Sequence, residues 1–169
     1  MLYVFPHCCS VSRITIDRLA VHVWTWQFAK LLHTITIEAF AAKPPTYAKI
    51  MELDKCVRDF PDPQCVREPV VEGPSKVTHI MQSMIATLHR ETTHVNLHRP
   101  YLSQALKESH EDPLRHKYGA SVMVTLRSAW RIINSVESAY KDAPGLMARM
   151  NLPWSHLLSC AVRAKGVAQ

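Results

Sequence analysis

The chain has 169 residues, a net charge of +6 and an isoelectric point of about 9.2. Apolar residues make up 47% of it and charged residues 20%, which is typical of a globular domain and excludes a disordered chain. Four glycines stand against eleven prolines, so the composition predicts helices ended by proline rather than a β protein with glycine turns.

The cysteines favour a reducing compartment inside the cell. Their number is odd and no Cys-x-x-Cys pair occurs among Cys8, Cys9, Cys56, Cys65 and Cys160. Neither a disulfide framework nor a cysteine zinc site is expected from this spacing. Cys56 and Cys160 fall in apolar helical patterns, so we expect buried thiols there. We expect no secretory signal and no membrane partner, since the apolar segments are short or interrupted by polar residues.

The first half of the chain predicts a leader and two helices. Residues 1–18 have no clear helical period and form a poorly defined leader. Residues 19–42 predict a helix, ended by "AKPP", with the apolar positions Trp24, Phe28, Leu31, Leu32, Ile35 and Ala39. Thr46 is the expected N-cap of a second helix. Its apolar stripe contains Ile50, then Leu53 or Asp54, then Val57, and it stops at "PDP". Residues 61–74 are then a surface loop.

The second half predicts further helices separated by prolines. Ser75 is the expected N-cap of a long helix with the apolar stripe Val77, Met81, Met84, Leu88 and Val95. Pro100 is expected to end or kink it, which makes "YLSQALKES" a short successor. The dipeptide Asp112-Pro113 predicts the start of the next helix. Its expected apolar face is Val122, Leu126, Ala129, Trp130, Ile133, Val136 and Tyr140. Pro153 opens a last helix. The prediction is an all-α, irregular bundle of about six helices.

Histidines are concentrated in "LHRETTHVNLHRP", residues 88–100. His89 and His94 are five positions apart, which places them roughly 140° apart around a helix, so they cannot bind one ion. His94 and His98 are four apart and could bind one, with a third ligand from elsewhere. Arg90 and Arg99 disfavour a cation nearby. The alternative interpretation is an ordinary core helix that is rich in histidine.

Four segments resemble a known family: "PPTYAKIMELDKCVRDFP", "LHRPYLSQAL", "EDPLRHKYGASVMVTLRSAWRII" and "LPWSHLLSCAV". In this order they are similar to the middle homology region of fungal-specific transcription factors. That region is the regulatory domain downstream of a binuclear zinc-cluster DNA-binding module. The resemblance covers roughly residues 23–169.

The resemblance implies a non-enzymatic regulatory domain over residues 19–169, located in the nucleus. Its partners would be the transcriptional machinery or a regulatory protein, with a possible small-molecule effector. In the family "LHRP" closes a core helix, so His94 and His98 would be structural, with His98 and Arg99 bonding carbonyls at the helix end.

The five scattered cysteines cannot form the family's six-cysteine cluster. DNA binding and zinc therefore belong to a module that this chain lacks, with no cofactor in the chain itself. The family domain continues past "WSHLLSCAV", which implies a fragment that is incomplete at its C-terminus.

The sequence leaves three other functions open. A helical protein-interaction module would follow from an uncovered apolar surface. An enzyme could use zinc on His94 and His98, or the group Ser155, His156, Ser159 and Cys160, although no nucleophile elbow accompanies that group. Direct DNA binding rests on charge alone and would be weak and sequence-blind. A ligand cleft near Trp130, Tyr140 and Trp154 is also considered, with a buried aromatic core as the preferred interpretation of these three residues.

Overall fold

The computed structural model describes residues 13–62, 75–151 and 155, and within them the fold is all-α. Five α-helices occur in these ranges: α1 (Arg13–Ala39), α2 (Tyr47–Asp59), α3 (Ser75–Glu108), α4 (Gly119–Asp142) and α5 (Pro144–Met147). A 3-10 turn, Pro113–Arg115, precedes α4. No strand is present in the described residues, so the predicted all-α class is confirmed. Most of the predicted leader lies outside the described ranges, as does the predicted last helix apart from Ser155.

Local sequence signals account for several of the helix boundaries. The side chain of Thr46 accepts a hydrogen bond from the Lys49 backbone N–H at 3.3 Å, which confirms the predicted N-cap of α2. Helix α1 starts at Arg13, earlier than the predicted residue 19. The Asp112-Pro113 pair begins the 3-10 turn, and the α-helix itself begins only at Gly119.

Pro100 neither ends helix α3 nor separates a successor from it, so the predicted end at Pro100 is wrong, while a kink there stays a prediction. The helix continues through Pro100 to Glu108, a run of 34 residues. An internal proline costs about 3 kcal/mol because it removes one backbone hydrogen bond and crowds the preceding turn. Packing on both sides of the proline offsets this cost, since Leu97 is buried before it and Leu102 and Ala105 are buried after it.

Helices α1, α2 and α3 share one hydrophobic core. Trp24 and Phe28 of α1 stack with ring centroids 5.1 Å apart, and Phe60 packs edge-on against Phe28 at 5.4 Å. Ile50, Leu53 and Val57 of α2 and Ala86 and Leu97 of α3 complete this buried cluster. The indole N–H of Trp24 donates to the Pro61 carbonyl at 2.7 Å, which joins α1 to the end of α2. The predicted apolar faces of α1 and α2 are therefore largely the buried ones.

Helices α3 and α4 form an antiparallel pair. Ala105 clusters with Val122 at one end of the pair, Glu91 bonds Arg131 near its middle, and Lys76 meets Asp142 at the other end. A second buried cluster fills the space between these helices with Met84, Leu88, Val95, Ile132, Val136, Ala139 and Met147. Helix α3 thus contacts α1 and α2 on one side and α4 on another, and it organises the fold.

The predicted apolar face of α4 is rotated from the observed buried face. The buried residues are Ser121, Val122, Thr125, Ser128, Ile132, Val136 and Ala139. Trp130 is 63% exposed and Tyr140 is 47% exposed, and Leu126 and Ile133 are also exposed. The expectation that Trp130 and Tyr140 are buried aromatic core is therefore wrong. Small residues at the buried positions leave room for the large side chains of α3, so the smaller face of α4 packs inward.

Helix α1 carries apolar residues on its outer side as well. Val23, Trp26 and Ile37, and Phe40 directly after the helix, are all more than half exposed. No helix in the described part of the chain is long and apolar enough to cross a membrane. On α2, the thiol of Cys56 is free and exposed, so the prediction that it is buried is wrong, and Cys160 lies outside the described residues.

Candidate functional site

A buried cluster of one aspartate and two histidines lies where α2 meets α3. Asp54 of α2 has one carboxylate oxygen, Oδ1, at 2.7 Å from His94 Nδ1 and 3.2 Å from His98 Nε2 of α3. Asp54 and His98 have no exposed surface and His94 retains 3%. His94 and His98 lie one helical turn apart and face the same partner. The pair that the sequence singled out therefore acquires a third polar group, Asp54, from another helix.

The contacts within this cluster are close but poorly directed for hydrogen bonding. Neither His94 Nδ1 nor His98 Nε2 has a hydrogen-bond partner, and the same holds for both oxygens of Asp54. These atoms are thus within contact distance of one another without the alignment that a strong N–H···O bond requires. Asp54 Oδ1, His94 Nδ1 and His98 Nε2 are costly in this condition unless another group satisfies them.

The close approach of His94 and His98 outweighs the effect of burial on the pKa of Asp54. Burial raises the pKa of the Asp54 carboxyl, but the neighbouring His94 and His98 lower it more, so its pKa lies well below the usual range. The carboxylate is therefore ionised at neutral pH. The guanidinium of Arg58, one turn along α2, contacts the other oxygen, Oδ2. This leaves Oδ1 to face the two histidines.

The hydroxyl groups of Ser121 and Tyr47 hold the other nitrogen of the His98 ring, Nδ1, in a hydrogen-bonded series. Ser121 Oγ of α4 lies 2.8 Å from His98 Nδ1 and 3.0 Å from the phenolic oxygen of Tyr47. If Ser121 donates to Nδ1, then Nε2 carries the ring proton and faces Asp54. If Nδ1 donates to Ser121, then Nε2 turns an unshared electron pair toward Asp54.

Three tyrosines close the cluster at the Tyr47 end. The rings of Tyr47, Tyr101 and Tyr118 lie with their centroids 4.7 to 4.9 Å apart in every pairing. Burial raises the pKa of Tyr101, and the neighbouring Tyr118 and Tyr47 add to that rise, so the phenol is neutral at physiological pH. The triangle joins α2, α3 and the segment before α4 in one aromatic contact.

The order Ser121–His98–Asp54 has the composition of a hydrolytic triad, but its placement does not suit one. Ser121 has no exposed surface and lies within the first turn of α4. A nucleophile must reach a substrate and stand next to donors for the developing oxyanion. A fully buried hydroxyl that already bonds Tyr47 and His98 meets neither requirement.

The two arginines next to the histidines, which the sequence analysis expected to disfavour a cation, have other partners or are exposed. Arg90 donates to Asp62 Oδ1 and to the Phe60 carbonyl, both at 2.6 Å. Arg99 is exposed. The expectation that His98 and Arg99 bond carbonyls at a helix end is wrong for His98, because the helix does not end there and the ring bonds Ser121.

An open cleft of about 570 Å³ lies between α1 and α3. Its walls include Leu32, Ile35, Phe40, Leu97 and Pro100. It does not include the sequence candidates Trp130 and Tyr140, which lie exposed on α4. The third candidate, Trp154, lies outside the described residues, as do His156, Ser159 and Cys160, while Ser155 is exposed.

Sequence reasoning missed Asp54, Ser121 and Tyr47. Of these three residues, only Asp54 could have been found from the sequence. It is a charged residue on the apolar stripe of α2, next to the apolar Leu53. A carboxylate on a buried face needs a partner, and that partner is the histidine pair.

Comparison with known proteins yields no relative: no protein-family model, no curated protein and no solved structure matches the chain.

Proposed function

We propose that this chain is a non-enzymatic regulatory domain of a fungal transcription factor. In this proposal it adjusts transcription through a partner protein or an effector in the nucleus. Sequence-specific DNA binding and the two zinc ions that it needs belong to a separate module with six clustered cysteines. The proposal rests on the resemblance carried by the four ordered segments.

The observation that best supports it is that three of these segments meet in one buried cluster. Asp54 comes from "PPTYAKIMELDKCVRDFP", His98 from "LHRPYLSQAL" and Ser121 from "EDPLRHKYGASVMVTLRSAWRII". Segments that are distant in sequence but joined by buried polar contacts belong to one folding unit. That the segments which carry the resemblance are also the ones in contact supports reading them as one domain signature.

The surface of α4 supports a partner protein as the target. Leu126, Trp130 and Ile133 are exposed and lie four and three positions apart, so they form one apolar stripe. Exposed aromatic residues on such a stripe are typical of protein–protein contacts. In the proposal this stripe contacts the transcriptional machinery or a regulatory protein.

The proposal is tested by fusing the full chain to an unrelated DNA-binding module and measuring a reporter gene that carries the matching sites. We expect the fusion to change reporter expression. Trp130→Ala should reduce that change, while Asn134→Ala, an exposed polar position one turn away, should leave it intact. A folded fusion that occupies the sites and leaves transcription unchanged would contradict the regulatory function.

The same stripe favours a second candidate, a helical interaction module with no role in transcription. Expression of the reporter gene distinguishes the two candidates. The interaction module requires Trp130 for association with a partner or with a second copy, yet it leaves the reporter silent.

A further inference from the structure

We propose that Asp54, His94 and His98 form a binding site for one divalent metal ion of the zinc class. The inference does not rest on the proposed function, because it concerns only the buried cluster between α2 and α3. Two imidazole nitrogens and one carboxylate oxygen are a ligand set that zinc accepts in proteins. The three donor atoms lie within 4.8 Å of one another and all three residues are buried.

The separations of Asp54 Oδ1 from the two imidazole nitrogens fit an ion with a small adjustment. Zinc bonds of about 2.0 to 2.2 Å in tetrahedral geometry place neighbouring donors about 3.3 Å apart. The separation of Asp54 Oδ1 and His98 Nε2 is 3.2 Å, which meets this value. The separation of Asp54 Oδ1 and His94 Nδ1 is 2.7 Å, so His94 would move outward by about 0.6 Å.

The poor direction of the contacts favours a shared ion over a hydrogen bond. In a metal site each donor aims its electron pair at the ion, which lies off the line that joins the donors by roughly 35° in a tetrahedral site. Nitrogen and oxygen atoms then lie close together without an aligned hydrogen bond. His94 Nδ1, His98 Nε2 and Asp54 Oδ1 are in this condition, since all are buried and none has a hydrogen-bond partner.

The surroundings prepare His98 as a ligand. A histidine that binds a metal through one nitrogen usually donates its other N–H to an oxygen, which fixes the tautomer and the ring orientation. Ser121 Oγ lies 2.8 Å from His98 Nδ1 and can accept that bond. Nε2 then presents its electron pair to the space shared with Asp54. Ser121 is thus a positioning residue for the site.

The charge balance is compatible with a cation. Asp54 contributes a carboxylate, and its Oδ2 contacts Arg58, whose side chain is half exposed and partly screened by solvent. Nη1 and Nη2 of Arg90 donate to Asp62 and to the Phe60 carbonyl. An ion here would connect α2 to α3 and would stabilise the fold, since it binds the folded chain and has no preformed site in the unfolded one.

The test uses the purified full chain, stripped with a chelator and titrated with zinc and then with cobalt(II). We expect one equivalent per chain, a raised melting temperature and a cobalt spectrum without thiolate charge transfer. Ser121→Ala should weaken zinc binding by about 10- to 100-fold, and His98→Gln and Asp54→Asn, which each remove a ligand, should weaken it more. His116→Gln is the matched control, because His116 also contacts a carboxylate, Glu108, at 2.8 Å, but near the surface.

The wild-type chain supplies a second measurement that does not depend on the folding of variants. The cysteines, including the exposed Cys56, are alkylated before titration, and we expect zinc binding to persist. Binding that disappears on alkylation, binding that is equal in wild type and His98→Gln, or no bound equivalent at all would each overturn the proposal.

Discussion

At the residue scale, the cluster explains why this helix is rich in histidine. A single carboxylate on the apolar face of α2 requires polar partners, and His94 and His98 supply them from α3. The spacing of four between the histidines was visible in the sequence. Asp54 could not be paired with them from sequence, because the contact joins positions 40 and 44 residues apart, and no local rule sets that distance.

His89 provides a test of residue environment that is separate from the cluster. It is half-buried on α3, and its ring meets the edge of Phe28 with centroids 6.3 Å apart. Burial lowers the pKa of His89 below its ordinary value of 6.5. The unfolded chain therefore takes up a proton more readily than the folded chain, and the contribution of His89 to stability declines as the pH falls below about 6.5.

We expect His89→Gln to weaken the dependence of unfolding free energy on pH between about pH 7 and pH 5. Urea unfolding at several pH values measures it. His110→Gln, at an exposed position, is the matched control and should retain the wild-type slope. An unchanged slope in His89→Gln would show that the burial of this ring is not linked to folding.

At the element scale, helix identity was predictable and helix orientation was not. Apolar periodicity located α1, α2, α3 and α4, because each has a stripe at spacings of three and four. On α4 the larger apolar residues form one stripe and the small residues Ser121, Thr125 and Ser128 form another. Hydrophobic periodicity predicts that the stripe of larger residues is buried, whereas close packing against α3 buries the stripe of smaller residues. Only the tertiary contact decides between them.

Gly119 sets the junction between the 3-10 turn and α4. A Cβ atom at this position would lie 2.0 Å from the Leu114 carbonyl oxygen, and the obstacle is backbone that cannot rotate away. We expect Gly119→Ala to destabilise the fold by about 2 kcal/mol, because the turn must open to accept the methyl group. Chemical unfolding of the full chain gives the value.

Gly145 of α5 is the matched control for this substitution. A Cβ atom there meets nothing within 4 Å. Gly145→Ala should be neutral or stabilising by up to about 1 kcal/mol, since alanine favours a helix more than glycine does. Equal losses at the two positions would mean that the close approach of Leu114 to Gly119 does not constrain the junction.

At the scale of the whole molecule, α3 holds the fold together. It shares a core with α1 and α2, pairs along its length with α4, and carries both histidines of the cluster. The all-α class followed from the proline and glycine composition with the helical periods. The continuous passage of α3 through Pro100 did not follow, because the sequence shows the cost of an internal proline but not the packing that offsets it.

We infer that segments distant in sequence are held together by the buried contact of Asp54 with His98. A double-mutant cycle measures this contact, using the unfolding free energies of wild type, Asp54→Asn, His98→Gln and the double variant in chelator. We predict a coupling of about 1 to 3 kcal/mol, whereas Asp54→Asn combined with His116→Gln should be additive within about 0.5 kcal/mol. Additive effects of Asp54→Asn and His98→Gln would contradict the claim.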